Sequence, residues 1–178
     1  MRNKRQVFLS LHHRYALSIG ENRQRLGHAA YHWGILIAPK RSKGPDCYAF
    51  DATDGIILDS GRDLNPEGNW HFREKANHNP EKDGHFLGRV MIGKVPNEVT
   101  YAEIHGLLAA IPLPQKGALP EQNCVTWTRA AICELQRKGL VEQFDLDRFM
   151  DESLAFADRR LKDTDSTPVS MNYTSRRM

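Results

Sequence analysis

Cysteine is scarce in this chain, three residues in 178. An odd number, without the paired spacing of a zinc site, excludes a disulfide framework and points to a reducing compartment, with the cytoplasm as the expected location. Long hydrophobic runs are missing too. Nothing approaches the roughly twenty apolar residues that a membrane-spanning helix needs. The opening stretch, MRNKRQVFLSLHHRYALS, is basic, but its apolar run is broken by His12, His13 and Arg14, so no secretory signal peptide is expected. No lipidation motif closes the chain. A strong excess of one charge is also absent. The formal net charge is +3, too small for the electrostatic footprint of a nucleic-acid-binding domain. The basic residues at the two ends (Arg2, Lys4 and Arg5, then Arg176 and Arg177) read as solvated termini, and no nucleic-acid partner is expected. A metal centre is not expected either. His12 and His13 are adjacent and would face opposite ways on a strand, while His71, His78 and His85 lie at irregular spacing in a polar region. Glycines between Gly84 and Gly93 are not followed directly by a helix, so they do not form a phosphate loop.

Ordinary globular usage remains. Apolar residues make up 40% and charged residues 26%, so the chain can build a core of its own. Val7 to Leu11, Tyr31 to Ala38 (YHWGILIA), Cys47 to Ala52 (CYAFDA), Ile56 to Asp59 and Phe86 to Val95 read as strands, the first members forming an antiparallel meander. Residues 20–27 read as a polar loop. The polar stretch 65–83 carries Trp70 and Phe72 and is expected to be part strand. Thr100 followed by Glu103 is a capping-box signature, opening a helix whose face is Ile104, Leu107, Leu108 and Ile111. A second helix spans about Cys124 to Lys138, with Asn123 as cap and Gly139 just past its end. A third spans about Leu146 to Leu161, capped by Asp145. Strands come first and helices after, the order of an α+β fold: a small antiparallel sheet packed against helices. One domain over residues 1–162 is expected, with a disordered tail from 163 to 178.

Three residues draw chemical interest. Cys124 falls in the first turn of its helix, where the positive end of the dipole and unpaired N–H groups favour a thiolate and can hold an oxyanion. A small buried hydrophobe is the competing account of the same cysteine. His32 opens a buried strand, a rigid mount for a general base or an imidazole satisfied by backbone. Asp51 lies in the next strand, on the face shared with Cys47 and Ala49. If the two strands are neighbours it can fix the imidazole tautomer, a role for which Asp54 and Asp59 compete. Gln122 and Asn123 precede the cysteine and are candidate oxyanion donors, although Asn123 also suits a plain helix cap. Trp33 and Trp127 are candidates for a substrate pocket or for the core. Cys133 reads as a core residue and Cys47 as inert.

The motifs YHWGILI and QNCVTWT resemble those of circularly permuted papain-like enzymes, the NlpC/P60 and lecithin:retinol acyltransferase group. There, a strand-borne His-Trp precedes an Asn-Cys that opens a helix, as here. The resemblance covers roughly Tyr31 to Lys138. It implies a permuted papain-like arrangement with His32 as base and Cys124 as nucleophile. Its chemistry is hydrolysis or acyl transfer on an amide, ester or thioester through an acyl-thioester, with no cofactor. Its partner is a small-molecule or peptide acyl substrate. The third, polar site residue of the group falls at or near Asp51, where the acyltransferase branch has a second histidine. The membrane-anchoring helix of that branch has no counterpart in this sequence. The whole chain also resembles a set of fungal proteins of similar length, which implies no reaction. A non-catalytic binding or scaffold module with the same fold is the alternative function. Nothing in the sequence fixes substrate or oligomeric state.

Overall fold

The computed structural model describes residues 4–176 and 178; of the terminal basic residues, Arg2 and Arg177 lie outside them. Among the described residues, eight strands and four α-helices follow one another as β1 (Arg5–His13), α1 (Gly20–Leu26), β2 (Tyr31–Pro39), β3 (Cys47–Thr53), β4 (Leu58–Asp59), β5 (Arg62–Asp63), β6 (His71–His78), β7 (Phe86–Val95), α2 (Tyr101–Ala109), α3 (Cys124–Arg137), α4 (Leu146–Lys162) and β8 (Ser170–Asn172). Six strands form one sheet in the order β6-β3-β2-β1-β7-β8. All its pairings are antiparallel except β7 with β8. The fold is α+β.

Strand alternation divides the side chains between two faces. Val7, Leu9 and Leu11 of β1, Trp33, Ile35 and Ile37 of β2, and Phe50 and Ala52 of β3 face α2, α3 and α4 in the main core. Their sequence neighbours Phe8, Leu36, Ala38 and Cys47 pack with Met91 in a small second cluster on the opposite face. Among the described residues, no α-helix contributes to that cluster. The turn from Asn79 to His85, with Pro80 buried, lies over part of it. His32 and Asp51 alternate onto this more open face.

Several expectations are corrected. Of residues 20–27, read as a loop, Gly20–Leu26 form a helix and Gly27 caps its end. Its sequence has little apolar face, but Arg23 makes a bidentate ion pair with Asp158 of α4, at 2.7 Å through each nitrogen, and Tyr31 donates to the same carboxylate. A tertiary clamp supplies what local propensity does not. The strand expected at Ile56 to Asp59 shrinks to two residues in a small ribbon, β4 with β5, and Ile56 and Leu58 are exposed. Cys133 is exposed, because α3 turns it away from the face formed by Trp127, Ala131 and Leu135. The tail expected to be disordered contains β8. Arg160, buried at the end of α4, donates to the carbonyls of Leu87, Thr164 and Thr167. Beyond them Tyr173 packs on Phe144 and Phe149. Polar composition signalled disorder, but backbone pairing and one aromatic anchor hold the segment.

Among the described residues, no helix is long and apolar enough to cross a membrane.

Candidate functional site

The site is assembled at one end of the sheet. Antiparallel pairing of β2 with β3, in the register Ile35↔Phe50, brings the start of β2 beside the end of β3. His32 and Asp51 therefore meet: His32 Nε2 lies 2.9 Å from Asp51 Oδ2. Of the three aspartates that competed for this role, Asp51 is the one bonded to His32; Asp54 and Asp59 are exposed beyond the strand. Arg73, cross-strand from Asp51 on β6, donates to both carboxylate oxygens, at 3.0 and 2.7 Å. Sequence reasoning missed Arg73, because its register against Asp51 depends on the length of the ribbon between β3 and β6.

Asn123 caps α3 as expected. Its side chain accepts from the Val125 N–H at 2.9 Å, and Thr126 accepts from the Asn123 N–H at 3.2 Å. This sets Cys124 as the first helical residue. The helix packs on β2 and β3, and Cys124 Sγ lies 3.9 Å from the Tyr31 carbonyl, one residue before His32. Cys124 is 3% exposed.

The electrostatics follow from these contacts. Burial alone would push His32 down, but hydrogen bonding to Asp51 and to Cys124 outweighs it and raises its pKa to about 9. Burial alone would push the Asp51 carboxyl up, but the bonds from His32 and Arg73 hold it well below the usual carboxylate range. With Nε2 committed to Asp51, Nδ1 is the ring nitrogen left for the thiol. At Cys47 burial pushes the thiol up, as suits an inert residue.

The remaining candidates separate. Asn123 is occupied as a cap. Gln122 accepts from the Gln115 N–H at 3.0 Å, which leaves its amide nitrogen as the end able to donate. Trp33 and Trp127, considered for a substrate pocket, are fully buried in the main core instead. Trp33 alternates onto the helix-facing side of β2 and Trp127 lies on the buried face of α3, and the Trp33 indole donates to the His28 carbonyl at 2.7 Å.

Gly34 matters for the geometry. A Cβ there would stand 2.9 Å from the Phe50 carbonyl oxygen, 3.2 Å from Asp51 Cβ and 3.3 Å from Ser10 Oγ. The first is backbone and cannot rotate away. Gly34→Ala is expected to spread β2 from β3, lengthen the His32–Asp51 contact and destabilise the fold by about 1–3 kcal/mol. Thermal unfolding with an NMR titration of His32 checks this; an unchanged His32 pKa would refute it.

His32 and Asp51 also line a cavity of about 190 Å³ on the open sheet face, with Ser10, His12, Arg73 and Asp83 among its walls. Among the described residues, no group of three or more His, Cys, Asp or Glu side chains can hold a metal ion.

The chain belongs to a family of unknown function, DUF6914, whose sequence profile matches residues 4–164. No curated protein and no solved structure matches it.

Proposed function

We propose that this member of the DUF6914 family is a cysteine acyl-enzyme, a hydrolase or acyltransferase acting on an amide, ester or thioester. Cys124 is its nucleophile, His32 its base and Asp51 the residue that orients the base, on a permuted papain-like arrangement of sheet and nucleophile helix. The observation that carries this reading is the placement of His32 between the other two: its Nε2 holds Asp51 at 2.9 Å, and Cys124 Sγ lies 3.9 Å from the carbonyl of Tyr31, the residue before it, where the thiol adds to the rise in the His32 pKa. Nucleophile, base and orienting acid in series are the signature of activated nucleophilic catalysis.

In the first step His32 holds, as imidazolium, the proton that Cys124 gives up, and sulfur bonds to the carbonyl carbon. The carbonyl electron pair moves to oxygen, and the Cys124 N–H, at a helix position with no intrahelical acceptor, receives the oxyanion. Gln122, whose oxygen is taken by the Gln115 N–H, adds a second donor through its amide nitrogen. His32 returns the proton to the leaving group as the carbon–heteroatom bond breaks, leaving an acyl-thioester on Cys124. Water or another acceptor then attacks that thioester and the thiolate departs. Asp51 stays ionised throughout, stabilising the imidazolium. A reducing compartment such as the cytoplasm suits the site, since all three cysteines are free thiols.

Native protein is alkylated with iodoacetamide from pH 5 to 9, and each cysteine is quantified by peptide mass spectrometry. An unassisted thiol is mostly protonated at pH 6, so activation is worth up to about 10²-fold there. Cys124 is expected to outpace the exposed Cys133 at pH 6, and His32→Ala to remove that advantage. If buried Cys124 lags behind Cys133 with or without His32, the enzyme reading fails and a binding module takes its place.

A further inference from the structure

A second histidine–aspartate pair stands beside the first. β1 and β2 pair with His12 directly opposite His32, and the two rings lie 6.1 Å apart, centroid to centroid. His12 Nδ1 is 3.4 Å from Asp83 Oδ2. Asp83 is fixed in turn by the His85 N–H at 2.9 Å. The His12 side chain is only 17% exposed and that of Asp83 19%, yet both border the same cavity as His32 and Asp51. The flank of Phe86 packs on the His12 ring at 5.6 Å. One basin therefore holds two buried imidazoles, each with its own carboxylate.

Acyl transfer has two half-reactions and two proton problems. His32 gives its proton to the leaving group in the first and, held by Asp51 with its pKa raised to about 9, takes another from solvent, so as an imidazolium it does not accept the proton of the acceptor. We propose that His12, oriented by Asp83, is a second general base of the same site and activates the acceptor that attacks the acyl-thioester. This inference rests on the acyl-enzyme reading above. The acceptor is a nucleophilic O–H or N–H group, from water or from a small amine or alcohol bound in the basin.

Asp83 faces Nδ1, so the proton sits there and Nε2 keeps a lone pair for a base. As the acceptor oxygen or nitrogen bonds to the acyl carbon, its proton passes to His12 Nε2. The tetrahedral intermediate then collapses, the carbon–sulfur bond breaks, and the electron pair returns to Cys124 as thiolate beside protonated His32. His12 gives its proton to solvent when product leaves.

The charge states fit this division. Burial pushes His12 below its ordinary value, further than the contact with Asp83 raises it, and the neighbouring charge of His32 pushes the same way. The groups facing His12 are Asp83, His32 and Asp51. His12 is thus neutral, and able to accept a proton, in the pH range where His32 is charged.

The test separates the half-reactions. Full-length protein is mixed with p-nitrophenyl acetate in a stopped-flow instrument, and acetylation of Cys124 is followed by mass spectrometry, in buffer alone and with L-serine added. The wild type is expected to give a burst of nitrophenolate of about one equivalent, followed by slower turnover. His12→Asn and, as a second variant, Asp83→Asn should form the acetyl-thioester but resolve it at least about a hundredfold more slowly, the lower end of the usual range of a general base of about 10²–10⁴-fold. The acid limb of the wild-type decay profile, set by His12, should vanish in His12→Asn, which a merely structural role would not cause. Loss in buffer alone assigns water as acceptor; loss of only the serine-dependent rate assigns the amine or alcohol. If both variants resolve the acetyl-enzyme at the wild-type rate with the acid limb intact, the inference is overturned and the acyl-enzyme reading stands. If the wild type shows no Cys124-dependent burst, both fall together.

Discussion

Asp51→Asn is expected to slow acylation of Cys124 by roughly 10³-fold or more while leaving the fold in place, by analogy with other catalytic dyads in which an amide replaces the orienting carboxylate. An amide has nearly the shape of the carboxylate but cannot stabilise an imidazolium, and it can donate to Nε2 and so select the wrong tautomer. Arg73 would also lose the anion it clamps through two bonds. The same substitution has a thermodynamic reading. The folded-state pKa of His32 is about 9, against about 6.5 for an unfolded histidine. A raised pKa contributes its stability in full below about pH 6.5 and loses it as the pH climbs through 9. At about 1.4 kcal/mol per pKa unit, the contribution is on the order of 3 kcal/mol. Asp51 has the opposite sign: its depressed pKa contributes above about pH 4 and is lost in acid. Wild-type Tm should therefore fall between pH 6.5 and 9, and Asp51→Asn should flatten most of that slope. NMR titration of His32 reads the cause directly. A His32 pKa still near 9 in Asp51→Asn would show that Asp51 does not hold the imidazole.

The chemical core of the site was legible because it rests on local signals. A helix start at Cys124 follows from Asn123, and His32 and Asp51 sit on strands whose apolar alternation is plain. Their meeting needed only one neighbour relation, β2 beside β3. The rest depended on distant register. His12 looked like half of an unhelpful histidine pair because its partner, Asp83, arrives on the turn before β7, and its cross-strand neighbour is set by the β1–β2 pairing. Arg73 was hidden inside a polar stretch. α1 and β8 were misjudged for one shared reason: each lacks an apolar face and is held from outside itself, α1 by Asp158 of α4 and β8 by pairing with β7, after a loop whose Thr164 and Thr167 carbonyls Arg160 of α4 holds. Composition records what a segment can bury, not what another element can offer it.

Trp33→Ala is expected to cost about 3–5 kcal/mol, the usual toll of emptying a large aromatic site in a core. Trp33 is fully buried, and its indole N–H supplies the His28 carbonyl with a donor. Alanine leaves a void and takes from the His28 carbonyl one of its two donors, the Tyr31 N–H remaining, under the strand that carries His32. For a domain of this size, each kcal/mol shifts Tm by roughly 2–4 °C, so a fall of roughly 6–20 °C should be seen by calorimetry. Trp127 offers an internal comparison. It is as deeply buried, but its indole nitrogen has no acceptor among the described residues. Trp127→Phe therefore removes an unpaired donor, whereas Trp33→Phe removes a hydrogen bond, and the first should be the milder change. Equal losses would mean that ring volume alone sets the cost.

The central place of β1 in the finished sheet has a consequence for the chain as it is made. β2, β3 and β6 follow β1 soon enough to build one half of the sheet in order, but β7, which lies against the other side of β1, begins only at Phe86. At ordinary elongation rates, β7 leaves the ribosome roughly 4–15 s after β1. During that interval the innermost strand of the mature protein is an outer one, with Val7, Phe8 and Leu9 beside an unpaired backbone, the kind of edge that recruits other chains.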